Sequence, residues 1–247
     1  MIKVSNLSVS YETVHGYVTP IKDLSFDIED GEVLGVIGRS GAGKTTLIKV
    51  LMGHMSDNMN ASGQIYFNGN IYFDDGAVDR RTIISHMTYV PQFTASALSP
   101  SHKLGNVFKD LYCARYQKVG HKKTNQIFRH SLQELDLPEY VLNCYPHELS
   151  GGMLQRAIIA MLIALPSELV VLDEPTSALD GTSQEFLKKA ITSSMIKPTM
   201  STILISHEMS FIEEMCTSVL VIGSRSWWIG EYSKIPQQYI DEIGITQ

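Results

Sequence analysis

The segment VIGRSGAGKTTLIKVLMG, residues 36–53, sets three glycines, a lysine and two threonines between an apolar run and an amphipathic stretch. Its central part, residues 38–45, matches G-x-x-x-x-G-K-[ST] at every fixed position. Glycines let successive backbone N–H groups turn toward one anion, and the following helix adds its positive N-terminal end. The preceding run VLGVIG predicts the buried strand that such a loop follows. The segment therefore predicts a strand–loop–helix unit that binds a nucleoside triphosphate.

Individual residues of this loop would make different contacts with a bound triphosphate. Lys44 can bridge the β- and γ-phosphates, and the Thr45 hydroxyl can bind Mg²⁺. A glycine-rich turn without a ligand is the alternative, but such a match arises by chance in roughly one chain per hundred of this length. The absence of an N-K-x-D tetrapeptide argues against a GTPase. The candidate phosphate-binding residues are Gly38, Arg39, Ser40, Gly41, Ala42, Gly43, Lys44, Thr45 and Thr46.

Composition limits the protein class. The 247 residues carry a net charge of −6, which argues against a nucleic-acid binder with a basic face. The three cysteines are widely spaced and fit a reducing compartment. The N-terminus alternates like a strand and lacks the apolar core of a signal peptide. The longest apolar run, residues 157–165, is too short to span a bilayer. We expect a soluble, cytoplasmic chain whose membrane role comes through a partner.

Strand and helix patterns alternate along the chain. Residues 2–11 and 21–38 alternate with period two and predict strands, and an Asn-Gly turn joins two short strands within residues 62–75. Residues 104–143 show a mainly helical pattern. The apolar strand ELVVLDE and a helix with a Thr182-x-x-Glu185 capping box come later. This alternation predicts an α/β fold with a parallel sheet covered on both faces. A helical subdomain is inserted at roughly residues 95–165.

Two further motifs carry chemistry. The strand LVVLDE ends in Asp173, placed to order Mg²⁺, and Glu174, placed to act as general base on water. A helix-capping pair is the alternative for these two acids taken alone. The segment LSGGMLQR, residues 149–156, places Ser150 as N-cap with Gly151 and Gly152 in the first helical turn, which makes a second anion site. One ATP needs only one such anion-binding turn, so the second turn suggests that it contacts the ATP bound to another protein molecule.

Together these motifs resemble the ATP-binding subunits of ABC transporters, over nearly the whole chain. LSGGMLQR is similar to the family signature, and LVVLDEPTSALD to Walker B followed by the D-loop at residues 177–180. The resemblance implies one cassette over residues 1–247: a P-loop NTPase core with a mixed sheet, an N-terminal antiparallel β subdomain and the helical insertion. It also implies ATP and Mg²⁺ as cofactors. Its further site residues are Tyr11 stacking on adenine, Gln92 of the Q-loop as a Mg²⁺ ligand, Asp180 of the D-loop, and His207 at the γ-phosphate.

Less specific sequence features indicate a subgroup of this family. YPHELSGGMLQRAIIAM, PTSALDGTSQ and ALSPSHKLGNVF resemble the oligopeptide/dipeptide/nickel importers. That resemblance implies uptake of peptides, nickel or a metal chelate. It also implies a second ATPase subunit arranged head-to-tail, two transmembrane permease subunits and an extracytoplasmic binding protein, with this chain peripheral at the cytoplasmic face of the membrane. Two departures from the group are the missing cysteine-rich extension and the closing segment GEYSKIPQQYIDEIGITQ, which suggest a short, nickel-type member.

Three alternatives compete with an import ATPase. An ABC exporter would share these motifs. A soluble ABC-type ATPase acting on DNA or ribosomes would carry a long coiled coil, or a second cassette in the same chain, and neither is present. A non-catalytic regulatory cassette is disfavoured because Lys44, Glu174 and His207 are all in place.

Overall fold

The structure, a computed structural model, describes residues 1–92, 98–116, 120–165, 167–176, 181–192, 199–224 and 226–244, with backbone alone at His121. It contains two sheets with helices packed around the larger one. The prediction of an α/β fold with a separate N-terminal antiparallel sheet is confirmed.

The smaller sheet is antiparallel, and its strands lie in the order β2-β1-β4-β5-β6. The Asn68-Gly69 turn between β4 and β5 has positive φ at both residues, 49° and 78°, as a two-residue hairpin requires. The hairpin β1–β2 extends past Tyr11 to a tip at Val14 and His15, longer than the sequence pattern predicts. Its strands are β1 Ile2–Thr13, β2 Gly16–Ile28, β4 Met59–Phe67, β5 Asn70–Asp74 and β6 Ala77–Val78.

The larger sheet has the strand order β11-β10-β3-β9-β8-β7 and is parallel except for the edge strand β11. Strand β3 lies between β10 and β9, and it leads directly into the phosphate loop. The remaining strands are β3 Val33–Ile37, β7 Met87–Val90, β8 Leu169–Asp173, β9 Ser201–Ile205, β10 Ser218–Ile222 and β11 Trp227–Gly230.

The described residues form eight α-helices. They are α1 Lys44–Leu51, α2 Arg80–His86, α3 Leu104–Tyr116, α4 His121–Glu134, α5 Gly151–Ala164, α6 Gly181–Thr192, α7 Met209–Met215 and α8 Gln237–Ile243. Short 3₁₀ turns span Glu139–Asn143, Pro146–Glu148 and Tyr232–Lys234. We call α3, α4, the first two 3₁₀ turns and α5 the helical insert. No helix in the described part of the chain is long and apolar enough to cross a membrane.

The central strands of the larger sheet are buried on both faces, which explains why they are mostly apolar. On strand β8, Val170 and Leu172 join the core with the helical insert, while Leu169 and Val171 face the antiparallel sheet and α1. Two cores therefore lie on opposite faces of one sheet. The loops at the carboxyl ends of β3, β9, β8 and β7 meet at one edge of this sheet, where α/β proteins bind ligands.

Two local predictions need correction. The capping-box pattern places a helix start at Thr182, but α6 begins at Gly181, so Thr182 lies inside its first turn. The closing segment also contains an unpredicted helix, α8, which ends at Gly244 with φ 72°. Its seven residues are too few to show a helical period clearly against their polar neighbours.

Candidate functional site

The phosphate loop owes its shape to three glycines. Gly41 and Gly43 have φ of 81° and 113°, in the left-handed region that side chains other than glycine rarely adopt. A Cβ at Gly38 would lie 2.5 Å from the carbonyl oxygen of Ile222, so the loop can pass strand β10 there only as glycine. A backbone hydrogen bond inside the loop runs from the N–H of Ala42 to the carbonyl of Arg39 at 3.1 Å. The structure shows the strand–loop–helix unit that the sequence predicts, with the loop between β3 and α1.

Lys44 lies at the start of α1 and folds back across this loop. Its ammonium donates to the carbonyl of Gly38 at 2.6 Å and to that of Arg39 at 3.1 Å, and the residue is only 8% exposed. Burial lowers the pKa of Lys44, while the carboxylates of Glu174 and Asp173 oppose that shift. The ammonium is therefore held where the loop carbonyls and two acidic side chains surround it. It is a fixed positive charge inside the loop.

Asp173 ends strand β8 at the sheet edge. The Tyr89 hydroxyl on the neighbouring strand β7 donates to its Oδ2 at 3.2 Å. Burial raises the pKa of Asp173, and the hydrogen bond from Tyr89 and the charge of Lys44 work against that rise. The same burial, with the negative charge of Asp173, raises the pKa of Tyr89 to about 12. Sequence reasoning missed Tyr89, because only the β7–β8 register brings it to Asp173.

Glu174 has the most constrained backbone of the site. Its φ is 50°, a left-handed conformation that is rare for a residue with a side chain and that costs about 1–3 kcal/mol. Its N–H donates to the Ile205 carbonyl at 2.8 Å, which ties the strained residue to the end of β9. The residue is 7% exposed, so its carboxylate is placed in the site rather than in solvent.

His207 meets Glu174 from the next strand end. Its backbone N–H donates to Glu174 Oε2 at 3.1 Å, and its Nε2 lies 3.3 Å from Oε1. Burial raises the pKa of Glu174, and the backbone bond and charge of His207 limit that rise. The His207 side chain itself is 60% exposed, so the ring still has an open side. The structure thus brings together the two residues that the sequence placed in separate motifs.

Tyr11 lies on β1 beside the start of α1. Its hydroxyl and the Thr46 hydroxyl are 3.2 Å apart, and the Lys49 ammonium lies 6.0 Å from the ring centroid. The extended hairpin does not carry the ring away, because Tyr11 is still paired with Val18 and Met59 in the sheet. The aromatic ring is therefore held beside the first two turns of α1, directly after the phosphate loop.

The second predicted anion site lies on the helical insert. Ser150 caps α5 with extended backbone angles, and its Oγ accepts from the Met153 N–H at 3.3 Å. Ser150 and Gly151 are exposed, and no atom lies within 4 Å of where a Cβ on Gly151 would stand. This turn is open to solvent, whereas the phosphate loop is packed against two strands.

The remaining predicted residues are either exposed or lie outside the described residues. Gln92 is exposed in the turn that follows β7, two residues beyond the strand end, and Thr45 is exposed at the first turn of α1. Asp180 lies outside the described residues.

An unpredicted wall of the site comes from α8. A cavity of about 430 Å³ is lined by Gly38, Arg39, Ser40, His207, Met209, Ile243 and Gly244. Hydrogen bonds from Ser224 lower the pKa of Glu242, and the positive charge of Arg39 adds to this effect.

The donors available at this edge suit a magnesium nucleotide. Backbone N–H groups and one buried ammonium can neutralise phosphate oxygens. The Thr45 hydroxyl and the Asp173 carboxylate are hard oxygen donors of the kind that Mg²⁺ binds together with substrate phosphates. Glu174, adjacent to this set, provides a carboxylate with restricted orientation. The set fits hydrolysis of a phosphoanhydride by water.

Comparison with known proteins agrees with this geometry. The family model described as ABC transporter matches residues 21–177, more than half of the chain. The oligopeptide transport ATP-binding protein OppD of Salmonella typhimurium is 31% identical over 228 residues, which are 90% of this chain and 67% of that protein. The dipeptide transport ATP-binding protein DppD of Lactococcus lactis is 29% identical over 241 residues, covering 96% of this chain and 68% of that protein.

Solved structures share the fold at lower identity. A structure described as the ATP-binding subunit of an ABC transporter superposes with a TM-score of 0.78 at 23% identity, covering all of this chain and 95% of the other. A dimeric ATP-binding cassette bound to ADP and Pi has a TM-score of 0.75 at 20% identity, covering 92% and 98% of the two chains.

Proposed function

This chain belongs to the ABC transporter family, and from that membership we propose that it is the ATP-hydrolysing subunit of an importer for short peptides, nickel or a metal chelate. The family and the ATPase class stand on the matched sequence. The transported substrate and the role of each site residue are our proposal.

One observation carries the proposal of an active rather than a regulatory cassette. Glu174 is held in a strained left-handed conformation with its carboxylate within 3.3 Å of the His207 ring. Strain of this kind persists only where the surrounding structure enforces it, and it concentrates at functional sites. A cassette that only bound ATP would need Lys44 and the loop, but it would not need an oriented carboxylate beside them.

In the proposed reaction, Lys44 neutralises the β- and γ-phosphates and Glu174 accepts a proton from the attacking water. His207 orients Glu174 and contacts the γ-phosphate from its open side. Tyr11 stacks on the adenine. Thr45, Gln92 and Asp173 would hold Mg²⁺, which would supply countercharge to the phosphate oxygens.

A second ATPase subunit completes the proposed site. The phosphate loop surrounds one side of the triphosphate, and the Ser150 turn is exposed on a separate helical region of the chain. We propose that the Ser150–Gly152 turn and Asp180 serve the ATP of a partner in a head-to-tail pair. The related cassette bound to ADP and Pi is described as dimeric, which supports this arrangement. The partner is a second copy or a homologous chain.

Two permease subunits are proposed to dock on the helical insert beside Gln92. Helices α2 and α3, which precede and follow the segment that contains β7 and Gln92, are joined by a hydrogen bond from Arg115 to the Ile84 carbonyl at 3.1 Å. Their apolar side chains Ile84 and Leu111 are 52% and 47% exposed, and contact with a permease subunit would cover them. Docking there places the chain at the cytoplasmic face of the membrane, with a binding protein delivering substrate on the other side.

Transport by the assembled complex tests the proposal. The chain is co-expressed with its permease subunits and reconstituted in vesicles. ATP-driven uptake of a labelled dipeptide, a labelled oligopeptide and ⁶³Ni²⁺ is then measured in parallel. The proposal expects uptake of one of these that stops in the Glu174→Gln complex. Hydrolysis without any inward transport would contradict the import assignment. Cross-linking of Cys-substituted Ser101 to a permease loop tests the docking surface; Ser96, also suited by sequence, lies outside the described residues.

A further inference from the structure

A single arginine of the helical insert reaches into the core between three of its elements. Arg115 stands in the last turn of α3, and its side chain is half-buried. The guanidinium donates to the Ile84 carbonyl at 3.1 Å, to the Ser167 hydroxyl at 2.6 Å, to the Thr88 hydroxyl at 3.1 Å and to the Met87 carbonyl. The planar fork of an arginine can satisfy several acceptors at fixed angles, which a lysine cannot do.

These acceptors lie at the amino ends of two neighbouring parallel strands of the larger sheet, β7 and β8. Met87 and Thr88 are the first two residues of β7. Ser167 belongs to the connection by which α5 returns to β8. The hydroxyls of Thr88 and Ser167 are also 2.6 Å apart, so the start of β7 and the return from the helical insert touch each other at the guanidinium.

Each of these two segments leads to a part of the proposed catalytic apparatus. One residue after Thr88, Tyr89 donates its hydroxyl to Asp173, and Gln92 follows two residues after β7 ends. On the other side, α5 runs from Ala164 back to its N-cap at Ser150. A shift of the helical insert against the sheet therefore moves the Ser150 turn and strand β7 relative to each other.

We propose that Arg115 is a positioning residue that locks the helical insert to the larger sheet and so sets the place of the Ser150 turn relative to the phosphate loop of the same chain. The inference rests on the proposed function, since only a turn that serves a partner's ATP needs this setting. Arg115 touches no nucleotide. It acts through Thr88 and Ser167, and its loss leaves ATP binding at Lys44 unchanged while it slows hydrolysis in the pair.

The size of the effect follows from geometry. A misplacement of about 1 Å by a change far from the chemistry can cost roughly 100-fold in rate. We expect Arg115→Ala to lower kcat by roughly 10- to 100-fold, with the Kd for a fluorescent ATP analogue within about twofold of wild type. Arg129 provides the matched control, because it lies on α4 of the same insert in an exposed pair with Glu139 at 3.1 Å. Arg129→Ala should leave both quantities unchanged.

Chemical rescue separates positioning from general destabilisation. Guanidinium chloride at low millimolar concentration, far below denaturing levels, should restore part of the kcat of the Arg115→Ala complex, because the free cation fits the vacated set of acceptors. It should not stimulate wild type or Arg129→Ala. Arg115→Lys keeps the charge without the fork and should remain slow, which also decides the matter if Arg115→Ala does not fold.

The outcomes separate the inference from the function beneath it. A wild-type complex that does not hydrolyse ATP would overturn the proposed function itself. Normal hydrolysis in wild type together with full kcat in Arg115→Lys, or loss of ATP affinity in parallel with kcat in Arg115→Ala, would overturn the positioning role alone. Reduced kcat, retained affinity and guanidinium rescue would establish it.

Discussion

The phosphate loop and the Ser150 turn both contain glycine and precede a helix, but they are built in opposite ways. The phosphate loop is packed against the middle of β2 and the end of β10, and its ammonium, on Lys44, is buried and bonded to two loop carbonyls. The Ser150 turn is exposed, and its hydroxyl is used to cap its own helix. One turn carries its own positive charge, while the other offers a helix end to solvent.

This difference indicates how the two turns divide their work. A packed loop with an internal countercharge can bind a triphosphate alone, because its donors are oriented before the ligand arrives. An open helix N-terminus has only partial charge and competes with water, so it gains strength when a partner surface excludes solvent. We therefore expect changes in the phosphate loop to affect ATP binding, and changes in the Ser150 turn to affect only closure of the subunit pair and hydrolysis.

The largest effect is expected at the carboxylate beside the packed loop. Glu174→Gln should slow ATP turnover by roughly 10²–10⁴, the usual contribution of a positioned general base, while ATP binding is kept. Steady-state phosphate release by the assembled complex measures the first quantity, and equilibrium binding of a fluorescent analogue the second. Turnover close to wild type would remove Glu174 from that role. Glu208→Gln, one residue after His207 and exposed, is the matched control.

The next effect tests whether the packed loop binds alone. Lys44→Ala removes a charged hydrogen-bond donor worth about 1.5–3 kcal/mol, so MgATP affinity should fall by roughly 10- to 100-fold. Isothermal titration of the isolated chain with a non-hydrolysable analogue gives the value. Lys3→Ala, at the exposed far end of β1, should bind as wild type does. Equal affinity of the two variants would sink the phosphate-loop assignment.

A smaller effect is expected at the base. Tyr11→Ala should weaken ATP binding by about fivefold to tenfold, because Tyr11 is partly exposed and we expect it to contribute about 1–1.4 kcal/mol, at the lower end of the roughly 1–3 kcal/mol for stacking of one base on an aromatic ring. Tyr11→Phe keeps the ring and loses only the contact with Thr46, so it should bind nearly as wild type. Tyr17→Ala on the same hairpin, where the side chain is exposed near the tip, should have no effect. Binding measured by competition with the fluorescent analogue distinguishes the three.

The smallest effect concerns pH. Burial raises the pKa of Glu174 above its ordinary value of 4.5, and His207 restrains that rise. The general base must be ionised, so activity should be present above this raised pKa and should be lost as the pH falls through it. His207→Ala removes the charge of the ring but keeps the backbone N–H that donates to Glu174, so part of the restraint is lost and the acid limb of kcat against pH should move to higher pH. An acid limb at the same pH in both proteins would show that His207 does not tune Glu174.

These differences also show what the sequence could reveal. The phosphate loop was predictable to the residue, because glycines at fixed spacing encode a backbone shape locally. The Ser150 cap was predictable for the same reason. The left-handed Glu174, the Tyr89–Asp173 bond and the Arg115 contacts were not, since each depends on which strands become neighbours in the sheet. The start of α6 at Gly181 was misplaced because a Thr-x-x-Glu pattern occurs inside helices as well as at their starts.

The central claim is that the two turns act on different ATP molecules. Ser150→Arg tests it directly, because a bulky cation on the exposed turn blocks closure on a partner but leaves the loop at Lys44 intact. In a mixed complex, one chain at a time is mutated, and nucleotide binding and hydrolysis are followed at each site with a photoactivatable ATP. We predict that the mutant chain still binds ATP and that hydrolysis stops at the partner's phosphate loop. Loss of hydrolysis only at the mutant chain's own loop would contradict it.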